Sequence, residues 1–157
     1  MKLGAHVSTS GGLSKAIERA EAIGAEAIQI FASSPRMWRF IEPKADEIKL
    51  FKKLSSEKNI APCYIHGSYL VNIGGDPSLL DKSIASLTNN MQVAGTIGAQ
   101  GVIFHGGSHK GKGFENIIDQ AAECLNQVLA NSPDDVFLCI ENSAGMGSHI
   151  GSSFEEI

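Results

Sequence analysis

The chain has 157 residues, of which 43% are hydrophobic and 19% are charged, and its formal net charge is −4. This length and composition predict one globular domain, and no apolar run approaches the roughly 20 residues that a membrane-spanning helix needs. The negative charge argues mildly against nucleic acid as a partner, because phosphate binding usually requires a basic surface.

Cysteine usage and the first residues indicate the compartment. The three cysteines, Cys63, Cys124 and Cys139, form no C-x-x-C pair, which favours reduced thiols over disulfides or a zinc finger. The stretch MKLGAHVSTSGG at the start lacks the apolar segment of a signal peptide. We therefore expect a cytoplasmic protein, with no indication of a membrane or of an obligate protein partner.

Short apolar runs mark five predicted strands in chain order. Each run is almost continuously apolar, which is typical of parallel strands that are covered on both faces. The runs lie at residues 2–7, 25–32, 62–67, 101–107 and 136–142.

Segments with helical periodicity lie between these runs. Gly24 is predicted to end the first helix, and Pro43 is predicted to lie in the first turn of the second. The alternation of strands and helices predicts an α/β fold built from repeated βα units in a single domain. Apolar residues recur every three or four positions within 13–20, 48–54, 80–94 and 114–128.

The last residues carry the pattern of a helix start. Ser152 is followed three residues later by Glu155, and Ser153 by Glu156, which is the spacing of a capping box. We expect a fifth helix to begin here, so the sequence is predicted to be truncated within the first turn of that helix.

Four polar residues lie at the predicted carboxyl ends of strands, where α/β proteins collect their chemistry: His6, His66, His105 and Glu141. Because side chains alternate between the two faces of a strand, the last three can point to the same side of neighbouring strands. Two histidines and a carboxylate suit catalytic zinc, and manganese or iron would also be compatible. The alternative is three hydrogen-bonded polar residues without a metal.

The segment after the fourth run allows a second interpretation. Gly106 to Lys112 fits the G-x-x-x-x-G-K frame of a phosphate-binding loop, but Gly113 stands where that loop needs Ser or Thr to hold Mg²⁺. The metal interpretation of His105 is therefore favoured. We expect His109, which follows on a loop, to lie behind the metal ligands or in solvent, and His6 is assigned in the same way.

Two predicted loops at the same end of the sheet combine arginine with aromatic residues. SSPRMWRF, after the second strand, carries Arg36, Trp38 and Arg39, and HGSYLVNIGG, at the end of the third, carries Tyr69 and Leu70. Such residues can grip a phosphodiester, stack on bases or wedge into a DNA helix. They can equally cover the local core, and the residues alone leave both interpretations open.

Five segments of the chain together resemble the endonuclease IV family, the family 2 apurinic/apyrimidinic endonucleases. The stretch from His66 to Gly74, His-x-x-Tyr-Leu-x-Asn-Ile-Gly, is a specific signature of that family. The resemblance extends from Lys2 to the last residue but covers only about five of the family's βα units. The segments are GAHVSTSGGL (4–13), SSPRMWR (33–39), HGSYLVNIGG (66–75), FHGGSH (104–109) and IENSAGMGS (140–148).

This resemblance implies a fold and an activity. Members fold as an eight-stranded (β/α) TIM barrel, so residues 1–157 are interpreted as the N-terminal portion of a single xylose-isomerase-like barrel domain, incomplete after about five parallel βα units. The family binds three zinc ions and hydrolyses the phosphodiester on the 5′ side of abasic sites in double-stranded DNA, leaving a 3′-hydroxyl. The implied role is the repair of damaged DNA by base excision.

The resemblance also implies roles for three residues at the metal. His66 and His105 correspond to ligands of one zinc ion. Glu141 corresponds to a carboxylate that bridges two metal ions and that orients or deprotonates the attacking water, which makes it the implied catalytic residue.

DNA contacts are implied for Arg36, Tyr69 and Leu70, which match residues that enter the DNA stack at the lesion, where a base is already absent. Gly106 departs from the pattern, because several relatives have proline there, and we expect this glycine to loosen the loop after His105.

The family's remaining metal ligands are the larger departure. Its signatures Asp-Thr-Cys-His and His-x-Asn-Asp do not occur in the chain, which leaves ligands for about one zinc ion plus the bridging glutamate. We therefore expect the chain alone to have little or no nuclease activity. Two alternatives stay open: a metal-dependent sugar isomerase or epimerase on the same kind of barrel, and an inert or merely DNA-binding remnant.

Overall fold

The computed structural model describes residues 1–157 and contains one sheet of five parallel strands, each paired with the next strand along the chain. All five strands lie within the apolar runs that predicted them, so the α/β prediction is confirmed. The strands are β1 (Gly4–His6), β2 (Ala27–Ile30), β3 (Cys63–His66), β4 (Gly101–His105) and β5 (Phe137–Glu141).

Four α-helices connect the strands, and none of them is both long enough and apolar enough to cross a membrane. Two short 3-10 turns, Phe114–Asn116 and Phe154–Glu156, accompany them. The helices are α1 (Ser14–Ala22), α2 (Ala45–Glu57), α3 (Pro77–Ile97) and α4 (Ile118–Ala130).

The helix boundaries correct one prediction and confirm another. Pro43 lies outside α2, because Lys44 is the residue that precedes the helix and Ala45 is the first helical one. The proline that begins a helix is Pro77 of α3, where its missing N–H removes no helical hydrogen bond. Gly24 follows the end of α1 as predicted, with a φ of +70° that glycine adopts without strain.

The core lies between the sheet and its helices. Ile65, Val102 and Phe104 occupy the helix-facing side of β3 and β4, and all three are fully buried. They belong to the same buried cluster as Leu87 of α3 and Val128 of α4. Since the helices bury this side of β3 and β4, packing fixes the position of these strands and therefore the place where their carboxyl ends meet.

The opposite side of the sheet is open. Ile103 and Cys139 are paired across β4 and β5, point to this side and are only partly buried, while Phe137 is 67% exposed. β1 and β5 are edge strands with one neighbour each. The five βα units therefore form an open segment of a barrel, because a barrel closes only when its first and last strands pair.

The predicted fifth helix start is a single 3-10 turn in the structure. The carboxylate Oε2 of Glu156 accepts hydrogen bonds from the Gly151 and Ser152 amides at 3.0 and 2.9 Å and from the Ser152 hydroxyl at 3.0 Å. The glutamate thus reaches back to backbone N–H groups before the turn, as in a capping box, although it uses Ser152 rather than its predicted partner Ser153.

Candidate metal centre at the carboxyl ends of the strands

His66, His105 and Glu141 end β3, β4 and β5, and their side chains converge on the open side of the sheet. The register pairs His105 directly with Glu141, while His66 is paired one layer lower, with Ile103. One ligand atom from each of the three residues lies within 4.8 Å of the others. The structure therefore brings together the residues that the sequence predicted as a metal site.

The ring of His66 is fixed by its surroundings. Its Nδ1 lies 2.8 Å from the carbonyl oxygen of Gly67, which can only accept, so Nδ1 carries the hydrogen. The residue is 5% exposed, and the rings of Phe31 and Tyr69 pack edge-on against it. In the neutral ring the lone pair is therefore on Nε2, the atom that faces the cluster.

Glu141 connects the two histidines through a single oxygen. Its Oε2 lies 3.3 Å from Nε2 of His66 and 3.9 Å from Nε2 of His105. The side chains of His105 and Glu141 are both 42% exposed, so the centre is closed on the His66 side and open on the other. Both short contacts use the same carboxylate oxygen.

This arrangement fits a metal ion. Nε2 of His66 and Oε2 of Glu141 are both acceptors, and two acceptors 3.3 Å apart repel each other unless a proton or a cation lies between them. Ligands about 2.1 Å from a tetrahedral zinc ion are roughly 3.4 Å apart, so these side chains need only small adjustments to bind one. The hydrogen bond from Nδ1 of His66 to a backbone carbonyl is the support that metal-binding histidines commonly have.

His6 lies beside this centre but is not one of the three converging residues. Its ring centroid is 5.9 Å from that of His66, and its Nδ1 is 3.0 Å from the side-chain nitrogen Nε2 of Gln29. Partial burial lowers the pKa of His6, and the neighbouring His66 lowers it further, against an opposing effect of Glu141. The position of His6 behind the three candidate ligands stays a prediction.

His109 makes structural contacts outside the candidate centre. Its Nδ1 accepts a hydrogen bond from the Gly113 amide at 3.1 Å, and its own amide donates to the carbonyl of Ser148 at 2.9 Å. The ring therefore closes the turn that follows β4, and it lies outside the group of three ligands.

The same turn does not form a phosphate cradle. The amides of Ser108, Lys110 and Gly111 already donate to Oδ1 of Asn72, Oγ of Ser108 and Oγ of Ser148. A phosphate-binding loop needs such amides free and a helix directly after the loop, whereas a 3-10 turn follows Gly113 here. The geometry agrees with the preference for a metal site over a nucleotide site.

Gly106 fits its loop tightly, which corrects the expectation that it loosens the chain after His105. A Cβ atom at this position would lie 2.9 Å from Cγ2 of Ile150, and the Gly106 carbonyl accepts a hydrogen bond from the amide of Ile73 at 3.0 Å. The absence of a side chain makes room for the buried Ile150, so the glycine permits close packing.

The two loops predicted to face DNA are joined to each other. The carbonyl of Pro35 accepts hydrogen bonds from the Tyr69 amide at 3.0 Å and from the Ser68 hydroxyl at 2.9 Å. Arg36, next to this junction, is exposed, and Leu70 is partly buried.

Tyr69 is at once exposed and part of the centre. Its side chain is 54% exposed, and its ring stacks on His105 with centroids 6.5 Å apart. Tyr69 therefore packs against His66 and His105 and also presents an exposed ring to the outside, and the DNA contact predicted for it stays a prediction.

Phe31 is a site residue that the sequence did not single out. It directly follows β2, and its ring lies 4.6 Å from His6, 5.3 Å from His66 and 5.4 Å from Tyr69, measured between centroids. An aromatic residue directly after a predicted strand was the available signal, but only the packing between strands shows which histidines it touches.

The fold and the centre define a protein of the (β/α)-barrel class with a candidate metal site at the carboxyl ends of its strands. The chain belongs to the xylose isomerase-like TIM-barrel family, whose model matches residues 17–157.

Among similar proteins, one named probable endonuclease 4 from Halothermothrix orenii is 40% identical over 158 residues, covering 100% of this chain and 57% of that protein. The crystal structure of endonuclease IV from Thermus thermophilus is 35% identical, with a TM-score of 0.88 over 99% of this chain and 57% of that one. The resemblance to endonuclease IV is thus confirmed, and the chain spans 57% of the length of these relatives.

A D-allulose 3-epimerase from Methylomonas sp. is similar in fold alone. It is 18% identical, with a TM-score of 0.70 over 99% of this chain and 56% of that structure. The barrel architecture is therefore shared between nuclease-named and epimerase-named proteins, and the loops and side chains must separate the two functions.

Proposed function

We propose that the chain is the N-terminal portion of a zinc-dependent DNA-repair endonuclease that hydrolyses the phosphodiester 5′ to apurinic/apyrimidinic sites and leaves a 3′-hydroxyl. The observation that carries this proposal is the convergence of His66, His105 and Glu141 beneath an exposed Tyr69, in a chain whose similar proteins are named endonuclease 4. The substrate is double-stranded DNA with an abasic site, encountered in the cytoplasm at the nucleoid.

The residues of this chain supply binding and proton transfer. His66 and His105 would hold one zinc ion, and Glu141 would supply a carboxylate that this ion shares with a second one. Zinc in this place supplies Lewis-acid stabilisation of the negative charge on the phosphodiester oxygens. Glu141, half-exposed at the open side of the centre, would orient or deprotonate the attacking water.

The loop positions support DNA over a small sugar as the substrate. Arg36 and Tyr69 are both exposed, on two loops that share the Pro35 carbonyl, and the ring of Tyr69 packs against His66 and His105. A large exposed aromatic ring beside the centre can stack on a base or fill the gap at a missing one. A pocket for a small sugar does not need such a surface, so the epimerase alternative has less support.

The net charge of −4 is compatible with a DNA substrate because the field at the site decides binding more than the total charge. The resemblance to endonuclease IV implies three zinc ions in the complete enzyme, and each bound ion would add two positive charges where the phosphates approach. This chain has ligands for about one ion plus the bridging Glu141, so we propose that it has little or no nuclease activity by itself.

DNA binding by the 157-residue chain in the presence of zinc tests the proposal. We expect fluorescence anisotropy to show tighter binding to a duplex with a tetrahydrofuran abasic analogue than to the same duplex without it. Tyr69→Ala should weaken binding to the abasic duplex by about tenfold, since one base–aromatic stack contributes roughly 1–3 kcal/mol. Phe154→Ala, which removes another exposed ring, is the matched control and should change nothing. Equal affinity for the two duplexes would contradict the proposal.

Zinc content and nicking test the second part of the proposal. Elemental analysis should give about one zinc ion per chain, and a nicking assay on abasic duplex DNA should show little or no turnover. Three zinc ions per chain, or turnover near that of an intact endonuclease 4, would show that this chain has a complete active centre. A chain that binds neither zinc nor abasic DNA would be an inert remnant.

A further inference from the structure

Asn72 lies buried between the loop that carries Tyr69 and the loop that follows His105. It is 8% exposed, and its side-chain oxygen Oδ1 accepts two backbone hydrogen bonds, from the Gly74 amide at 3.1 Å and from the Ser108 amide at 3.0 Å. One of these amides belongs to its own loop and the other to the neighbouring loop. A single oxygen atom therefore ties the two loops together.

The surroundings of Asn72 are built to keep it there. A Cβ atom on Gly107 would lie 2.6 Å from Oδ1 of Asn72, so only glycine allows the neighbouring loop to pass this close. The backbone amide of Asn72 donates a hydrogen bond to the hydroxyl of Ser83 on α3 at 3.0 Å. That hydroxyl in turn donates to the Leu79 carbonyl of the same helix at 2.7 Å. These contacts anchor the asparagine backbone to a helix of the core.

The two loops that Asn72 joins have different tasks in the proposed enzyme. Tyr69 and Leu70, three and two residues before Asn72, are the proposed DNA contacts. His105, three residues before Ser108, is a proposed metal ligand. The Asn72 oxygen thus joins the DNA-facing loop to the loop that follows the metal-binding strand end, next to the backbone hydrogen bond from the Ile73 amide to the Gly106 carbonyl at 3.0 Å. It is the side-chain contact through which a shift of one loop would move the other.

We propose that Asn72 is a positioning residue that holds the Tyr69 loop and the His105 strand end in one fixed arrangement, so that metal binding and DNA binding depend on the same hydrogen-bonded oxygen. This inference rests on the proposed function. The task needs an acceptor with two lone pairs on a side chain of this length, which aspartate can supply and alanine cannot.

Three variants of the 157-residue chain test the proposal. We expect Asn72→Ala to weaken zinc binding, measured by competition with a chromophoric chelator, by about tenfold, as is common when a residue that supports a metal ligand is lost. Binding of the abasic duplex should weaken to a similar extent, and Asn72→Asp should restore both. Asn90→Ala removes another buried asparagine, which bonds only to Ser86 within α3, and should leave both affinities unchanged.

Amide hydrogen exchange gives a readout that does not depend on metal or DNA. The Gly74 and Ser108 amides should exchange faster by about tenfold or more in Asn72→Ala, and at the wild-type rate in Asn72→Asp, because local opening of the loops exposes them. If Asn72→Ala does not fold, Asn72→Asp decides alone: a folded aspartate variant with an unprotected Ser108 amide overturns the proposal.

The proposal is also overturned if Asn72→Ala loses protection at both amides but keeps zinc and DNA affinities within twofold of wild type, because the loops would then be uncoupled from the site. A failure of the proposed function shows differently. In that case the wild-type chain itself binds neither zinc nor abasic DNA, while the exchange rates still report whether Asn72 holds the two loops.

Discussion

The two faces of the sheet differ in the burial and polarity of their residues. On the helix-facing side, Ile65, Val102 and Phe104 are fully buried and apolar. On the open side, β3, β4 and β5 carry Ile103, Cys139 and the three residues of the candidate centre, which are partly exposed except for the buried His66. One face therefore determines stability and the other is free to carry chemistry, since its side chains are not needed to fill the core.

Two phenylalanines on adjacent strands, one on each face, give the largest expected difference in stability. Phe104→Ala should lower the free energy of unfolding by about 3–5 kcal/mol, because it leaves a cavity in the core. Phe137→Ala, on the open face and 67% exposed, should change it by under about 1 kcal/mol. Urea denaturation followed by circular dichroism measures both, and equal losses would mean that the open face is packed as tightly as the covered one.

The histidines of the open face are expected to determine the affinity for zinc. His66→Ala should weaken zinc binding by more than about 100-fold, because losing a ligand costs more than losing a residue that supports one. His149→Ala removes an exposed histidine outside the group of three and should have no effect. Titration calorimetry measures the zinc affinity of both variants. If His66→Ala binds zinc as tightly as the wild type does, the metal site does not lie on this face.

The cysteines of the two faces are expected to make different contributions to stability at alkaline pH. Burial raises the pKa of the Cys63 thiol, on the covered face, from 9.0 to about 12, so above pH 9 the unfolded chain releases a proton that the folded chain keeps. Stability is therefore lost as the pH rises from 9 toward 12, by up to about 1.4 kcal/mol per pH unit. Cys63→Ala should flatten this dependence measured by urea denaturation, and Cys139→Ala, on the open face, should flatten it less. Identical slopes in wild type and Cys63→Ala would contradict the burial argument.

Removing the hydroxyl of Tyr64 is expected to have the smallest effect on stability. Its hydroxyl donates to Oε1 of Gln100 at 3.0 Å in an exposed contact on the open face. Tyr64→Phe should therefore lower the free energy of unfolding by only about 0.5–1 kcal/mol. A loss of several kcal/mol in the same urea titration would show that this hydrogen bond is part of a tightly packed interior.

Much of this molecule was predictable because its strands are local features. The apolar runs located all five strands, and side-chain alternation placed His66, His105 and Glu141 on one side of them. The segment after Gly113 was predicted less well, since its periodicity suggested one helix from Phe114, whereas a 3-10 turn precedes α4. Helix propensity does not reveal where a loop contact delays the first helical turn.

The contacts between loops could not be predicted. Asn72 and Ser108 are far apart in sequence, and so are the residues that join the Pro35 carbonyl to Tyr69, so no local pattern reports either bond. The turn-closing contact of His109 is equally invisible, because it depends on the conformation of glycine-rich backbone. Family resemblance assigned roles to residues at these loops but did not show the hydrogen bonds that hold them.

β1 and β5 each pair with only one other strand, which affects the tendency of this chain to associate in solution. Each edge presents backbone N–H and C=O groups that can accept a further strand, and beside β5 the exposed Phe137 adds apolar surface. Association through these edges grows with protein concentration. Affinities for zinc and DNA are therefore expected to be independent of protein concentration only in dilute samples, where light scattering reports a monomer.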